Sequence, residues 1–218
     1  MVALNIKNVN GFRIPDSPKK VLEIPLVYDC MQNLGGHNRT VDYILNKFDG
    51  HIKSKVVIDL GCGTGKLLKK LPDYKAYTGI DLHAPYILKA QKNFANDKTK
   101  FIAGSIFNLD RFLKKNSNSI FFALGFLHHL SNMEISRLFD SIRKIDDSPM
   151  VVTLDPVFCL EQTGFSRFLA NSDRGKFVRW NYELEQLLKD LKAKIIYSET
   201  NSKIMRTKMN VCINLFKL

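Results

Sequence analysis

From residue 55 to residue 154, short apolar runs alternate with amphipathic stretches. Runs of five or six apolar or β-branched residues bounded by polar ones read as buried parallel strands. They predict strands over about 55–60, 76–81, 99–103, 119–124 and 150–154. Between them, apolar positions recur at helical spacing. These predict helices over about 64–71, 84–95 (with Pro85 near its start), a short one over 107–115, and one over 131–145. The last has Ser131 as N-cap and Glu134 three residues on, a capping box. Five β/α units of this kind predict an open parallel sheet with right-handed crossovers. A helix near 181–192 follows, then strands over 193–199 and about 207–216. The link between those two is short, which favours an antiparallel pair. Ahead of the sheet, residues 1–20 read as a loose lead-in. A helix-like run opens at Ile24-Pro25-Leu26-Val27-Tyr28 and stops at Gly35-Gly36, and a second helix covers about 38–48. There is no internal repeat and no low-complexity segment.

The most informative stretch is Val56 to Leu68, VVIDLGCGTGKLL. A strand runs into Asp59, then glycines stand at 61, 63 and 65. Glycines in such a loop let the backbone turn sharply and approach a ligand with no Cβ in the way. A helix behind them would aim free N–H groups and a positive dipole end at the bound group. A phosphate-gripping loop needs G-x-x-x-x-G-K-[ST], but Leu60 and Leu67 break that pattern. The dinucleotide fingerprint G-x-G-x-x-G fails because residue 66 is Lys and the third glycine comes one position early. A second acid, Asp81, ends the predicted strand Tyr77-Thr78-Gly79-Ile80-Asp81, 22 residues after Asp59. That is close to the ~20 residues expected for an acid that grips ribose hydroxyls.

D-x-G-x-G-x-G with a strand-end acid at this spacing resembles motif I and its partner in the class I S-adenosylmethionine-dependent methyltransferases. NAD-binding and flavodoxin-like domains are the alternatives, and the spacing fits them less well. The resemblance covers roughly residues 22–218. It implies one domain over 1–218, with 1–50 as lead-in and cover helices and 51–218 as a Rossmann-like core. The implied sheet is seven-stranded and mostly parallel, closed by a C-terminal antiparallel hairpin. It also implies S-adenosylmethionine as cofactor and S-adenosylhomocysteine as product, held along the carboxyl ends of the first three strands. The cofactor residues would be Asp59, Gly61, Cys62, Gly63, Gly65, Asp81, Leu82, Gly104, Ser105, Ile106, Leu124 and Gly125. Asp81 would take the ribose hydroxyls, and Leu82 would pack on the adenine. The family usually has an acid where Ser105 stands, so a hydroxyl or backbone carbonyl must serve there. N-terminal helices often lie over the cofactor in such folds, which makes Tyr28, His37 and Arg39 candidates to cover it.

The acceptor side is read from two stretches. Leu124-Gly125-Phe126-Leu127-His128-His129-Leu130 resembles the A-x-x-x-x-H-H-L signature of small-molecule methyltransferases. A hydroxyl nucleophile loses a proton as it attacks, and histidine suits that task near neutral pH. His128 and His129 are therefore the catalytic candidates, one of them expected to be structural. Asp155-Pro156-Val157-Phe158 looks like the motif of base-amino methyltransferases but follows the fifth strand, not the fourth. The segment from Leu154 to Arg179 is long for a connection and forms a substrate-side insertion over 155–180. Asp155, Arg167, Arg174 and Arg179 are its candidate substrate contacts, since Arg pairs well with carboxylate and phosphate. This segment and Ile24-Pro25-Leu26-Val27-Tyr28 resemble a bacterial subgroup that often occurs beside surface-polysaccharide genes.

Composition adds little. The 218 residues carry a net charge of +12, which suggests an anionic partner, but the lysines are dispersed in pairs with no basic stripe. The expected acceptor is a small, anionic molecule, plausibly methylated on a sugar or other hydroxyl. An RNA methyltransferase and a non-catalytic cofactor-binding protein are the second and third readings. The four cysteines are scattered with no C-x-x-C pair, so no metal is expected. No apolar run reaches membrane-spanning length and no signal pattern opens the chain, so the expectation is a cytoplasmic protein.

Overall fold

The computed structural model describes residues 7–9, 12–14, 37–173 and 175–218. The helix expected over 24–34 lies outside the described residues, as do Tyr28 and Arg174. Within the expected loose lead-in, β1 (Lys7–Val9) and β2 (Phe12–Ile14) pair antiparallel with Val9 opposite Phe12.

The chain then runs α1 (His37–Ile52), β3 (Val56–Leu60), β4 (Ala76–Asp81), α2 (Ala84–Phe94), β5 (Thr99–Ala103), β6 (Ser119–Leu124), α3 (Asn132–Ile145), β7 (Met150–Phe158), α4 (Gly164–Asn171), β8 (Arg179–Trp180), α5 (Asn181–Asp190), β9 (Lys194–Asn201) and β10 (Val211–Lys217). The sheet order is β5-β4-β3-β6-β7-β10-β9, with the two-residue β8 added beside β7. β3 to β7 are mutually parallel, whereas β10 runs antiparallel to both β7 and β9. This is the expected Rossmann-like sheet with its C-terminal hairpin.

Alternation along each strand divides the core. Val57, Tyr77, Phe122, Val152 and Ile213 bury on one face with Ile44 and Phe48 of α1 and Ile87 and Ala90 of α2. Ile58, Ile80, Phe121, Val151 and Phe216 bury on the other face with Leu138, Phe139 and Ile142 of α3 and Leu188 of α5. The strands are therefore apolar on both sides, which is why they read as continuous apolar runs. The predicted capping box of α3 is present: Ser131 Oγ accepts from Glu134 N, and Glu134 Oε2 accepts from Ser131 N.

Three expectations fail locally. The helix predicted over 64–71 is a series of turns followed by a single 3₁₀ turn, Leu68–Lys70. Gly65 sits at φ +80°, outside helical geometry, and Pro72 closes off any extension after Leu71. The short helix over 107–115 is a 3₁₀ segment, Ile106–Arg111. The fifth strand does not stop at 154 but continues to Phe158, through Pro156. Pro156 stands opposite Val211 of β10, and Val157 resumes donation to Asn210 O at 3.0 Å. The expected insertion also contains regular structure, α4 and β8.

Candidate functional site

The glycine loop leaves β3 at its carboxyl end. Gly61, Gly63 and Gly65 have φ of +71°, +54° and +80°, a region that side chains disfavour. Gly61 N and Cys62 N both donate to Ile80 O, at 2.8 and 3.1 Å, so the loop is stitched to β4. A Cβ on Gly61 would stand 2.5 Å from the Phe126 ring, in the turn that leaves β6. The loop and that turn therefore meet face to face.

Asp81 braces this arrangement from the end of β4. Its Oδ2 accepts from Gly63 N at 2.9 Å and its Oδ1 from His83 N at 2.8 Å. A carboxylate offers about four lone-pair directions, so acceptor capacity is left over for hydroxyls. The neighbouring Leu82 is 80% exposed, an apolar surface beside the acid. Gly104 N donates to Asp81 O at 2.9 Å, which brings the end of β5 alongside. Ser105 Oγ accepts from Phe107 N at 3.3 Å and caps the 3₁₀ segment, while the Ile106 side chain is buried in the core. Leu124 is half-buried at the end of β6, and Gly125, at φ +68°, donates to Leu154 O at 2.6 Å.

Two residues of the loop region prove to be interior. Asp59 points into the core, where its Oδ2 accepts from Tyr77 Oη at 2.7 Å. Burial pushes its carboxyl up to about 7, against the lowering effect of the Tyr77 bond. Cys62 is buried, and burial raises its thiol well above the ordinary range, so it is no nucleophile. On the other flank, Lys70 Nζ bonds both Asp42 carboxylate oxygens at 2.6 and 2.7 Å and Asn38 O at 3.2 Å. That tie sets the first turn of α1, with the exposed Arg39, beside the residues that follow the glycine loop.

At the ends of β6 and β7 the structure redistributes the expected roles. His128 is buried, with Nδ1 2.8 Å from Asp155 Oδ1 and Nε2 3.0 Å from Asp173 Oδ1. Burial alone would lower its pKa, but the hydrogen bonds to the two carboxylates outweigh that and push it up to about 9. His128 is thus an imidazolium at neutral pH with both nitrogens donating, and has no lone pair with which to act as a base. Asp155 Oδ1 also accepts from Phe126 N and His128 N, at 3.1 and 3.0 Å. Asp155 is buried, and through Oδ1 it holds the turn after β6. Arg179 is occupied as well. It donates to Leu127 O at 3.3 Å, Leu130 O at 2.6 Å, Phe177 O at 2.9 Å and Asn132 Oδ1 at 2.8 and 2.9 Å, so its assignment as an acceptor contact gives way to a structural one.

His129 and Arg167 remain outward. His129 is exposed, its ring 4.2 Å from that of His128. Arg167 is exposed on α4, its guanidinium 5.3 Å from the centre of the Trp180 ring. Trp180 in turn contacts Phe158 and Tyr182, at 5.8 and 5.9 Å between ring centres. Tyr77, Phe126 and Gly175 join the site through partners distant in the chain, which no local signal marks. Trp180 could have been noticed as the sole tryptophan.

Comparison with known proteins agrees with this geometry. Residues 57–145 match the family model described as a methyltransferase domain. Among solved structures, the fold is similar to the magnesium protoporphyrin IX methyltransferase of Synechocystis PCC 6803 crystallised with S-adenosylhomocysteine (TM-score 0.59, 18% identity, 84% of this chain and 83% of that one). It is also similar to a SAM-dependent methyltransferase from Aquifex aeolicus (TM-score 0.62, 16% identity, 93% and 94% covered). A third is a SAM-dependent methyltransferase from Leishmania major (TM-score 0.65, 14% identity, 83% and 72% covered). No curated protein matches the sequence. No described helix is long and apolar enough to cross a membrane.

The fold, the glycine loop and the matched domain point to one class: residues 57–145 match a methyltransferase domain, whose cofactor is S-adenosylmethionine, set within a Rossmann-like sheet. The residues present suit that cofactor: a loop that approaches without Cβ atoms, a strand-end carboxylate with spare acceptor capacity, and an open leucine beside it.

Proposed function

We propose that the protein methylates a small anionic acceptor, on a sugar or other hydroxyl, held over the carboxyl ends of β6 and β7. The observation that carries this reading is the division of labour in the histidine pair. His128 has both nitrogens bonded to carboxylates, whereas His129 is exposed beside it at the end of β6. His129 is then the candidate base that removes a hydroxyl proton as the oxygen attacks. Arg167 beside Trp180 offers a cation next to an aromatic face, suited to an anionic group on a cyclic body.

S-adenosylmethionine, when bound, supplies an electrophilic methyl group. The ribose hydroxyls would fall to Asp81, the adenine to Leu82, and the close approach to Gly61, Gly63 and Gly65. The main catalytic task of the chain is to align the acceptor oxygen with the methyl carbon and sulfur, which alone removes several kcal/mol of barrier. The resemblance to a subgroup found beside surface-polysaccharide genes supports a sugar acceptor. The net charge of +12 supports RNA as a second reading, which requires strongly salt-dependent binding.

Radiolabelled methyl transfer to panels of acidic sugars, nucleotide sugars and RNA tests the acceptor class. With an acceptor in hand, His129→Ala should lower turnover by at least tenfold while leaving S-adenosylhomocysteine affinity intact. Full activity in that variant would overturn the base assignment.

A further inference from the structure

The segment from Leu154 to Arg179 meets one imidazole at two points, Asp155 and Asp173. Asp155 reaches His128 Nδ1 from β7, and Asp173 reaches Nε2 from the segment that follows α4. That segment then lies against the histidine. Gly175 N donates to Asp173 Oδ1 at 2.7 Å, and a Cβ on Gly175 would stand 2.0 Å from His128 Cδ2. Phe177 N donates to His128 O at 2.9 Å. Arg179, which opens β8, closes the far end on the carbonyls of Leu127 and Leu130. Residues 173 and 175–179 thus form a strap across the turn that leaves β6, fixed at each end by a charged group.

We propose that His128 is a positioning residue: its ring clasps Asp155 on β7 to Asp173 on the strap, and so holds the strap closed over the acceptor end of the sheet. The clasp rests on the geometry alone; that it shapes the acceptor site rests on the reading above. The charge logic is simple. Asp155 is buried, and a buried carboxylate needs a compensating charge. With the imidazolium present, the strap carboxylate is drawn in as a second partner. Without the proton on Nε2, a lone pair would face Asp173 Oδ1, and the contact becomes repulsive. Among the described residues, the other charged or titratable groups around the clasp are His129 on the same turn, Cys212 of β10 behind Asp155, and Arg179 on β8, whose guanidinium is committed to backbone carbonyls and Asn132.

Lys176 is exposed on the strap and gives a direct readout. Trypsin cleavage after Lys176 is followed by mass spectrometry from pH 7 to 10 and normalised to cleavage after the exposed loop residue Lys98. In the native protein the ratio should be low at pH 7 and rise at least fivefold as the pH passes about 9, where the ring loses its proton. Asp173→Ala should give the high ratio at every pH. Asp173→Asn keeps an acceptor without the charge and should move the midpoint to lower pH. In both variants S-adenosylhomocysteine affinity should stay within about twofold of the native value, a result that also shows the variants are folded. A ratio that does not change with pH, or an Asp173→Ala variant cleaved no faster than the native protein at pH 7, would overturn the clasp. Because no acceptor enters the assay, its outcome is independent of the acceptor assignment.

Discussion

The backbone N–H of Gly63 donates to Asp81 Oδ2 across 2.9 Å, so the acid that ends β4 also sets the shape of the loop that follows β3. One side chain thereby couples the proposed ribose position to the glycine loop.

Asp81→Ala should for that reason cost more than a lost ribose contact. Two charge-assisted bonds to hydroxyls predict a loss of about tenfold or more in S-adenosylmethionine affinity. The loosened loop should add to it. Asp81→Asn, which retains one acceptor oxygen, should fall between. Calorimetric titration of both variants checks the order, and unchanged affinity in Asp81→Ala would remove the ribose assignment.

Gly61→Ala places a methyl group at φ +71° and 2.5 Å from the Phe126 ring. The backbone strain is about 1–2 kcal/mol, and the ring must also move. Thermal unfolding should report a loss of at least about 2 kcal/mol. Pairing it with Phe126→Ala should recover part of the loss if the clash is the cause, and none of it if strain alone acts.

Asp59 has a carboxyl pushed up to about 7 by burial. A raised pKa means that the folded state favours the protonated form. Its contribution to stability is therefore complete below the unfolded value near ~4 and is lost as pH rises through about 7. Asp59→Asn keeps an acceptor for Tyr77 Oη but cannot ionise. It should be near neutral at pH 4 and more stable than the native protein at pH 8, by about 2–4 kcal/mol. Denaturant unfolding at the two pH values reads this directly.

His128 has the opposite charge type and a higher window. Its pKa is pushed up to about 9 from an ordinary value near ~6.5. The stabilisation is fully present below ~6.5 and is lost as pH rises through about 9, an effect on the order of 3 kcal/mol. Asp173 is held below the usual carboxylate range: its burial works against this, and the bonds from His128 and Gly175 prevail. Between these limits the clasp is strongest. Asp173→Asn should flatten the stability profile between pH 7 and 9, a window in which Asp59 contributes little further change.

The strands were readable because each is buried on two faces. β4 and β6 begin and end where their apolar runs do, at Ala76–Asp81 and Ser119–Leu124. The capping box at Ser131 was equally local. What escaped depended on a single dihedral or on contacts between distant parts of the chain. The helix expected over 64–71 is broken by the φ of +80° at Gly65. The fifth apolar run stops at 154, yet β10 carries the pairing to Pro156 and β8 carries it on to Phe158. The histidine pair was legible as a pair, but which member is enclosed is decided by Asp155 and Asp173, whose convergence on one ring no spacing rule announces.

The central claim is that the glycine loop and Asp81 form an S-adenosylmethionine site. Calorimetric titration with S-adenosylmethionine and S-adenosylhomocysteine, with NAD and ATP as controls, tests it most directly. The account predicts saturable, micromolar binding of the first two and none of the controls. Binding of NAD or ATP in their place, or no binding of S-adenosylhomocysteine by the folded protein, would contradict it.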